Sequence, residues 1–163
     1  MLGKKMTAAL NEQVQKELFS SNLYLAMSSW CEAANLPGFA KWLRVQFDEE
    51  RAHGLKLFDY VIDQGAAAVV PAIEAPAVKF KTIQELFHAV LEHERKITAA
   101  INKLQALAVA EADFATQVEL AWFLKEQVEE EKNAGLFSAH LDMVGDKSAA
   151  VLNLDHEAGK RGK

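Results

Sequence analysis

Apolar residues recur every three or four positions along four long segments of the chain, which is the spacing of one face of an α-helix. The pattern predicts four long helices and one short one, over residues 7–34, 37–64, 82–109, 113–144 and 147–158. The helix boundaries agree with local sequence signals. Pro37 suits the first turn of the second helix, with Asn35 or a neighbour capping it, and Asp113 can cap the fourth. Thr82 and Glu85 have the spacing of a capping box.

The helix lengths predict how the chain is connected. Helices of about 28–32 residues would be about 42–48 Å long, which is typical of a four-helix bundle. Residues 65–81 contain Pro71 and Pro76 and have no helical period. Fully extended, this segment could cover about 56 Å, so we predict a crossover along the bundle between two antiparallel hairpins. The predicted fold is all-α, a single domain over residues 1–163 with a frayed basic tail over residues 159–163.

Each long helix carries polar residues on its apolar face. The second helix is the clearest case, because Glu50 and His53 share a face with Leu43 and Leu57. An ionised carboxylate in a bundle core is strongly unfavourable unless another group compensates it. The complete set on the four helices is Glu17, Glu50, His53, Glu94, Gln127 and Glu130.

The spacing of these residues predicts that they meet at one level of the bundle. In an antiparallel hairpin, residues equally distant from the turn lie side by side. The midpoint of Glu17 and Glu50 falls at the first turn, and the midpoint of Glu94 and Gln127 falls at the second. Both pairs are 33 residues apart, which indicates an internal duplication of one hairpin.

Several carboxylates at one level would repel one another, so a cation is the expected partner. Oxygen ligands with one imidazole suit iron or manganese. Di-iron carboxylate bundles use a glutamate from each of two helices and a Glu-x-x-His motif from each of the others. Here Glu50 and His53 form one such motif, whereas Gln127 and Glu130 replace the second. We therefore predict two unequal half-sites that share Glu50, of which the all-oxygen one is weaker.

Composition narrows the classes of partner. The chain has 23 acidic and 18 basic residues and a net charge of −5, which argues against a nucleic-acid partner. Cys31 is the single cysteine, so neither an intrachain disulfide nor a cysteine-ligated cluster is expected. The N-terminus does not read as a signal peptide, and no apolar stretch has transmembrane length. We expect a cytoplasmic protein that has no membrane partner.

At this point the sequence resembles the bacterial non-haem ferritins, over about Leu10 to Gly145. The resemblance is carried by the segments KELFSSNLYLAMSSW, DEERAH, HER and KEQVEEEK. It implies a ferritin-like four-helix bundle whose chains, about 24 of them, form a closed homo-oligomeric cage. It also implies ferroxidase activity, in which Fe(II) is oxidised by O2 or H2O2 and stored as a hydrated ferric oxide mineral.

The resemblance also assigns individual residues. The implied ferroxidase centre has Glu17, Glu50 and His53 at a first iron, Glu50, Glu94 and Glu130 at a second, and Gln127 beside the pair. Tyr24 matches a tyrosine that orients a ligand carboxylate and supplies an electron, and Trp122 matches a position near the site. A third, inner-surface iron site is implied at Glu49, Glu126 and Glu129. Bacterioferritins ligate haem with a methionine where this chain has Ala52, so no haem is expected.

Two other functions are alternatives to this one. A di-iron oxidase or peroxidase of the rubrerythrin kind would use the same ligands without storage, but it usually carries a cysteine-ligated iron domain, and this chain has only Cys31. A metal-free scaffold or partner-binding bundle would place apolar side chains at the six polar positions.

Overall fold

A computed structural model describes residues 2–145 and 148–161 of the chain. In these ranges the protein is all-α, which confirms the predicted fold class. The five helices are α1 (Lys4–Ala33), α2 (Pro37–Asp63), α3 (Ile83–Ala110), α4 (Phe114–Val144) and α5 (Ser148–Ala158). Lys147, the predicted first residue of the fifth helix, lies outside the described residues.

Two tight turns fold the four long helices into antiparallel hairpins. Each turn follows a helix with one residue in the left-handed region, Asn35 (φ 58°) after α1 and Ala112 (φ 52°) after α3. The next residue, Leu36 or Asp113, donates its N–H to a carbonyl in the last helical turn. This is the Schellman arrangement. Asn35 therefore ends α1 and does not cap α2. Its neighbour Leu36 occupies the N-cap position of α2 but makes no side-chain hydrogen bond there, so the predicted side-chain cap is not formed.

The segment between α2 and α3 is the predicted crossover. It follows α1 along its length, because side chains of α1 hydrogen-bond successive backbone groups of the segment. Asn11 bonds the carbonyl of Ala67 (3.1 Å), Gln15 that of Ala72 (2.9 Å) and Trp30 that of Phe80 (3.2 Å). Consequently α3 begins at the end of the bundle where α1 finishes and runs antiparallel to it.

Helix caps fix where α3 and α4 begin. The Thr82 hydroxyl accepts the N–H of Glu85 at 3.2 Å, and the Glu85 carboxylate accepts the N–H of Lys81 at 2.8 Å. This is a capping box in which the Glu85 carboxylate accepts the N–H of Lys81 instead of that of the N-cap residue Thr82. Asp113 accepts the N–H of Thr116 at 3.1 Å, as the sequence predicts for the cap of α4.

The apolar core is divided into two clusters. One, with Tyr24, Phe39 and Phe87, fills the end of the bundle near the α1–α2 turn. The other, with Leu10, Leu57, Ile101 and Leu120, fills the end near the α3–α4 turn. The polar residues predicted on the helix faces lie between these clusters.

The last helix packs against the start of α2. Asp155 accepts the N–H of Phe39 at 2.8 Å. Gly38 is required there, because a Cβ on it would lie 1.7 Å from the carbonyl oxygen of Asp155. In residues 159–161, the described part of the tail, Lys41 donates to the carbonyl of Gly159 at 2.9 Å and Arg161 pairs with Glu49. The frayed basic tail over residues 159–163 stays a prediction. None of the helices in the described ranges combines the length and apolar character of a membrane span.

Candidate metal centre

The four long helices bring six polar side chains together at mid-height. We call Glu17, Glu50, His53, Glu94, Gln127 and Glu130 the polar level; each exposes 5% of its surface or less. Glu17 comes from α1, Glu50 and His53 from α2, Glu94 from α3, and the other two from α4. An apolar cluster on either side excludes water from this layer, so its charges interact strongly.

Glu17, Glu50 and His53 form what we call the histidine half. Each offers one ligand atom, and these atoms lie within 4.8 Å of one another, close enough to coordinate a single ion. His53 and Glu50 are one helical turn apart, and the Nδ1 of His53 lies 3.7 Å from Oε2 of Glu50. In residues 2–145 and 148–161 this is the only cluster of three or more acidic, histidine or cysteine residues with such geometry.

Three of the four carboxylate oxygens in the histidine half have no hydrogen-bond donor in the described part of the chain. Among the described residues, both oxygens of Glu50 and Oε2 of Glu17 are buried without a hydrogen bond. The other oxygen of Glu17 accepts from the amide of Gln13 at 2.7 Å. Burial, reinforced by repulsion from neighbouring glutamates, raises the pKa of Glu17 and of Glu50 well above the ordinary carboxyl value. Three unpaired buried oxygens beside an imidazole are an arrangement that a cation would complete.

Glu94, Gln127 and Glu130 form the glutamine half, and here the carboxylates have neutral donors. The hydroxyl of Tyr24 donates to Glu94, and the amide of Gln127 lies 3.3 Å from the same carboxylate. The amide of Gln46 donates to Glu130 at 3.0 Å. Burial raises the pKa of Glu94, and raises that of Glu130 to about 7.

Comparisons with known proteins point to one family. The model of the ferritin-like domain matches residues 7–144. The chain belongs to the ferritin family. It is 40% identical to a probable bacterial non-heme ferritin-like protein of Haemophilus influenzae, over 98% of this chain and 96% of that one. It is 39% identical to a bacterial non-heme ferritin of Staphylococcus epidermidis, over 99% and 97%.

Solved ferritin structures have the same fold. The open pore ferritin of the hyperthermophilic archaeon Archaeoglobus fulgidus superimposes with a TM-score of 0.97 at 38% identity, covering 99% of each chain. A structure described as a humanized archaeal ferritin gives 0.98 at 37% identity over the whole of both chains. The resemblance stated from the sequence and the ferritin-like fold are thus confirmed, and the rubrerythrin-like alternative is not favoured.

Two aromatic side chains predicted near a ferritin centre border the polar level. Tyr24 contacts Glu94, as described, and is itself fully buried. Trp122, which is 37% exposed, packs edge-to-face on the His53 ring with centroids 5.2 Å apart. Trp122 therefore stands between the imidazole and solvent, and Tyr24 lies on the side toward Glu94.

Glu49, Glu126 and Glu129 are the three glutamates implied at a third ferritin site. Among the described residues they do not form a cluster like that of Glu17, Glu50 and His53. Glu49 pairs with Arg161. Glu126 is partly buried and Glu129 is exposed, and neither belongs to a cluster with metal-ligand spacing in the described part of the chain. This site therefore stays a prediction from the resemblance.

Sequence reasoning missed two buried glutamines that support the centre. Gln13 and Gln46 expose 1% or less and donate to Glu17 and Glu130. The available signal was their position, because each lies four residues before a predicted ligand glutamate on the same helix face. Arg161 was also missed, and nothing in the helical pattern marks it.

Proposed function

We propose that this chain stores iron and oxidises Fe(II) at the polar level. The observation that carries the proposal is the histidine half, in which buried, unpaired oxygens of Glu17 and Glu50 lie beside the imidazole of His53. A chain without a cationic ligand would gain nothing from such a group, because unpaired buried carboxylates destabilise the fold. Membership of the ferritin family supports iron as the cation.

Two iron ions would occupy the centre side by side. Glu17, Glu50 and His53 would hold the first, while Glu94 and Glu130 would hold the second. Glu50 would bridge them, because both of its oxygens are free of hydrogen bonds in the described structure. Ions in two-metal sites lie about 3.5–4 Å apart, a separation that one carboxylate spans. Gln127 would stand beside the pair and orient Glu94.

The reaction is the loss of one electron from each Fe(II). Two ions supply the two electrons that reduce O2 to H2O2, or H2O2 to water, with protons taken from solvent. The protein's part is to hold both ions at one distance and in one orientation. Tyr24 positions the Glu94 carboxylate through its hydroxyl. As the family resemblance implies, we propose that it also passes an electron to the oxidant and is then reduced again by a further Fe(II), so that all electrons come from iron.

Storage requires a closed particle and a route from the centre. We propose a homo-oligomeric cage of 24 chains, inside which Fe(III) collects as hydrated ferric oxide. Glu49, Glu126 and Glu129 would receive oxidised iron on its way to the cavity. With chains of 18.0 kDa, size-exclusion chromatography should show a particle of about 430 kDa. A small oligomer would contradict storage and favour an enzyme of the rubrerythrin kind.

Oxidation itself is tested by adding Fe(II) in air and following the absorbance of Fe(III). The wild type should show a fast rise, and Glu50→Ala should abolish the fast phase, because it removes a ligand from both ions. Glu12→Ala is the matched control, since Glu12 is an exposed glutamate of α1 that pairs only with Lys16. A wild-type rate in Glu50→Ala would show that the assigned site is wrong.

A further inference from the structure

The end of the chain delivers one positive charge close to the polar level. Arg161 donates through Nη2 to Oε2 of Glu49, the residue before the shared ligand Glu50. Its guanidinium carbon lies 4.5 Å from the ring centroid of Trp42, a cation–π contact. Only 20% of the Arg161 side chain is exposed. The Glu49 side chain is 40% exposed, so the pair is sheltered mainly on the side of the guanidinium.

The position of this guanidinium is fixed by contacts on α2. The carbonyl of Gly159 accepts from Lys41, and Asp155 accepts the N–H of Phe39. These bonds hold residues 155–159 against the beginning of α2, two to three helical turns before Glu49. The second guanidinium nitrogen, Nη1, is buried without a hydrogen-bond partner among the described residues. Arg161 is thus held in place although its hydrogen-bonding capacity is incompletely used.

The charge of Arg161 acts on the centre as well as on Glu49. Its attraction lowers the pKa of Glu130, against the larger opposing effects of burial and of Glu94. Glu130 lies on α4 and Glu49 on α2, so the guanidinium lies near carboxylates of two helices. This is the electrostatic position that a metal ion next to the centre would take.

We propose that Arg161 is a resident cation that competes with metal ions for Glu49 and so limits how many ions each subunit holds beside the centre. The inference rests on the proposed function, because it concerns an ion next to the oxidation site. A metal ion bound through Oε2 of Glu49 requires the guanidinium to withdraw. Because the two cations exclude each other, whatever weakens the Arg161–Glu49 pair must strengthen ion binding at Glu49, by up to the same factor.

The test is calorimetric titration of the full-length, assembled protein with Zn(II), which is not oxidised. Arg161→Gln is compared with Lys160→Gln, which removes the same charge from the neighbouring residue, a partner of Glu157 only. Lys160→Gln should bind the ions of the polar level as the wild type does. Arg161→Gln should change only the ion next to Glu130, and only slightly, because the effect of Arg161 on Glu130 is smaller than those of burial and of Glu94. Arg161→Gln alone should bind the next ion about tenfold more tightly, within the usual range of coupling between sites. Adding Glu49→Gln should remove this gain.

If the two variants give the same titration while the polar level binds its ions normally, that result would overturn the role of Arg161 but not the proposed metal centre. Failure of the wild type to bind Zn(II) tightly at the polar level would instead overturn the proposed metal centre. Should Arg161→Gln not assemble, Arg161→Met replaces it, since methionine removes the charge but keeps an unbranched side chain that can pack on Trp42. The same gain of about tenfold is then expected, and no gain relative to Lys160→Gln would overturn the proposal.

Discussion

The histidine half and the glutamine half of the polar level are built from equivalent positions of two similar hairpins, yet their hydrogen bonds differ. In the histidine half, three buried oxygens of Glu17 and Glu50 have no donor among the described residues. In the glutamine half, Glu94 accepts from Tyr24 and Gln127, and Glu130 accepts from Gln46. One half therefore lacks a positive partner, and the other is satisfied by neutral groups.

This difference predicts the order in which the two halves bind metal ions. An ion entering the histidine half coordinates buried oxygens that have no donor among the described residues. It displaces protons rather than hydrogen bonds from them, because burial raises the pKa of Glu17 and of Glu50. An ion entering the glutamine half must compete with amide and hydroxyl donors for the same oxygens. We expect the first ion to bind the histidine half tightly and the second to bind the glutamine half weakly, which suits a site whose product has to leave.

The largest expected effect comes from removing one ligand glutamate from each half in turn. Glu17→Ala should weaken binding of the first Fe(II) by more than the roughly 10–100-fold typical of lost outer-shell partners. Glu94→Ala should leave the first ion bound and remove the second. Anaerobic calorimetry counts both ions. The controls are Glu12→Ala and Glu92→Ala, exposed glutamates of the same two helices. Equal losses in Glu17→Ala and Glu94→Ala would show that the halves are equivalent.

The second effect concerns the stability of the metal-free protein. The pKa of Glu130 is about 7 in the folded chain against 4.5 as the reference value. Between these values the folded state binds more protons than the unfolded state, so stability falls as pH rises. Glutamine does not ionise, so Glu130→Gln should not lose stability in this way. Above pH 7 its free energy of unfolding should exceed that of the wild type by at most about 3 kcal/mol.

Thermal melts of metal-free wild type and Glu130→Gln check this sign. The variant should be more stable than the wild type at pH 8, and the difference should shrink toward pH 5. The amide can still accept the hydrogen bond from Gln46, so packing is preserved. A difference that does not change with pH would contradict the shifted pKa of Glu130.

A smaller effect is expected from making the glutamine half resemble the histidine half. Gln127→Glu adds a carboxylate at a side chain that is 4% exposed. It should tighten the second ion by about tenfold, a typical coupling between close charges, and destabilise the metal-free chain, because the added charge repels Glu94. Calorimetry and thermal melts with and without Zn(II) test both changes. Tighter binding of the first ion alone would contradict the division into halves.

The smallest effect is expected from Tyr24→Phe, which removes one donor from Glu94 and keeps the ring in the core. Loss of one net hydrogen bond contributes about 1 kcal/mol, so the metal-free protein should be modestly less stable. Binding of the first ion should not change, because within the polar level the Tyr24 hydroxyl donates to Glu94, a residue of the glutamine half. Rapid-mixing measurements should show slower oxidation with both ions bound. An unchanged oxidation rate would remove the proposed role of Tyr24.

Much of the fold was predictable because it depends on local periodicity. Helical spacing predicted five helices, and the turn positions placed Glu17 opposite Glu50 and Glu94 opposite Gln127. The supporting hydrogen bonds and ion pairs around the site were not predictable, because they join residues that are distant in sequence. The bond from Gln46 to Glu130 joins residues 84 apart, and the pair of Arg161 and Glu49 joins residues 112 apart. Such pairs follow from packing and side-chain conformation, which hydrophobic spacing does not encode.

The most direct test of the central claim is anomalous diffraction from crystals soaked anaerobically with Fe(II). We predict two iron peaks per subunit at the polar level, about 3.5–4 Å apart and bridged by Glu50. The peak beside Glu17 and His53 should be the more fully occupied. Iron bound only elsewhere on the chain, or a stronger peak in the glutamine half, would contradict this account.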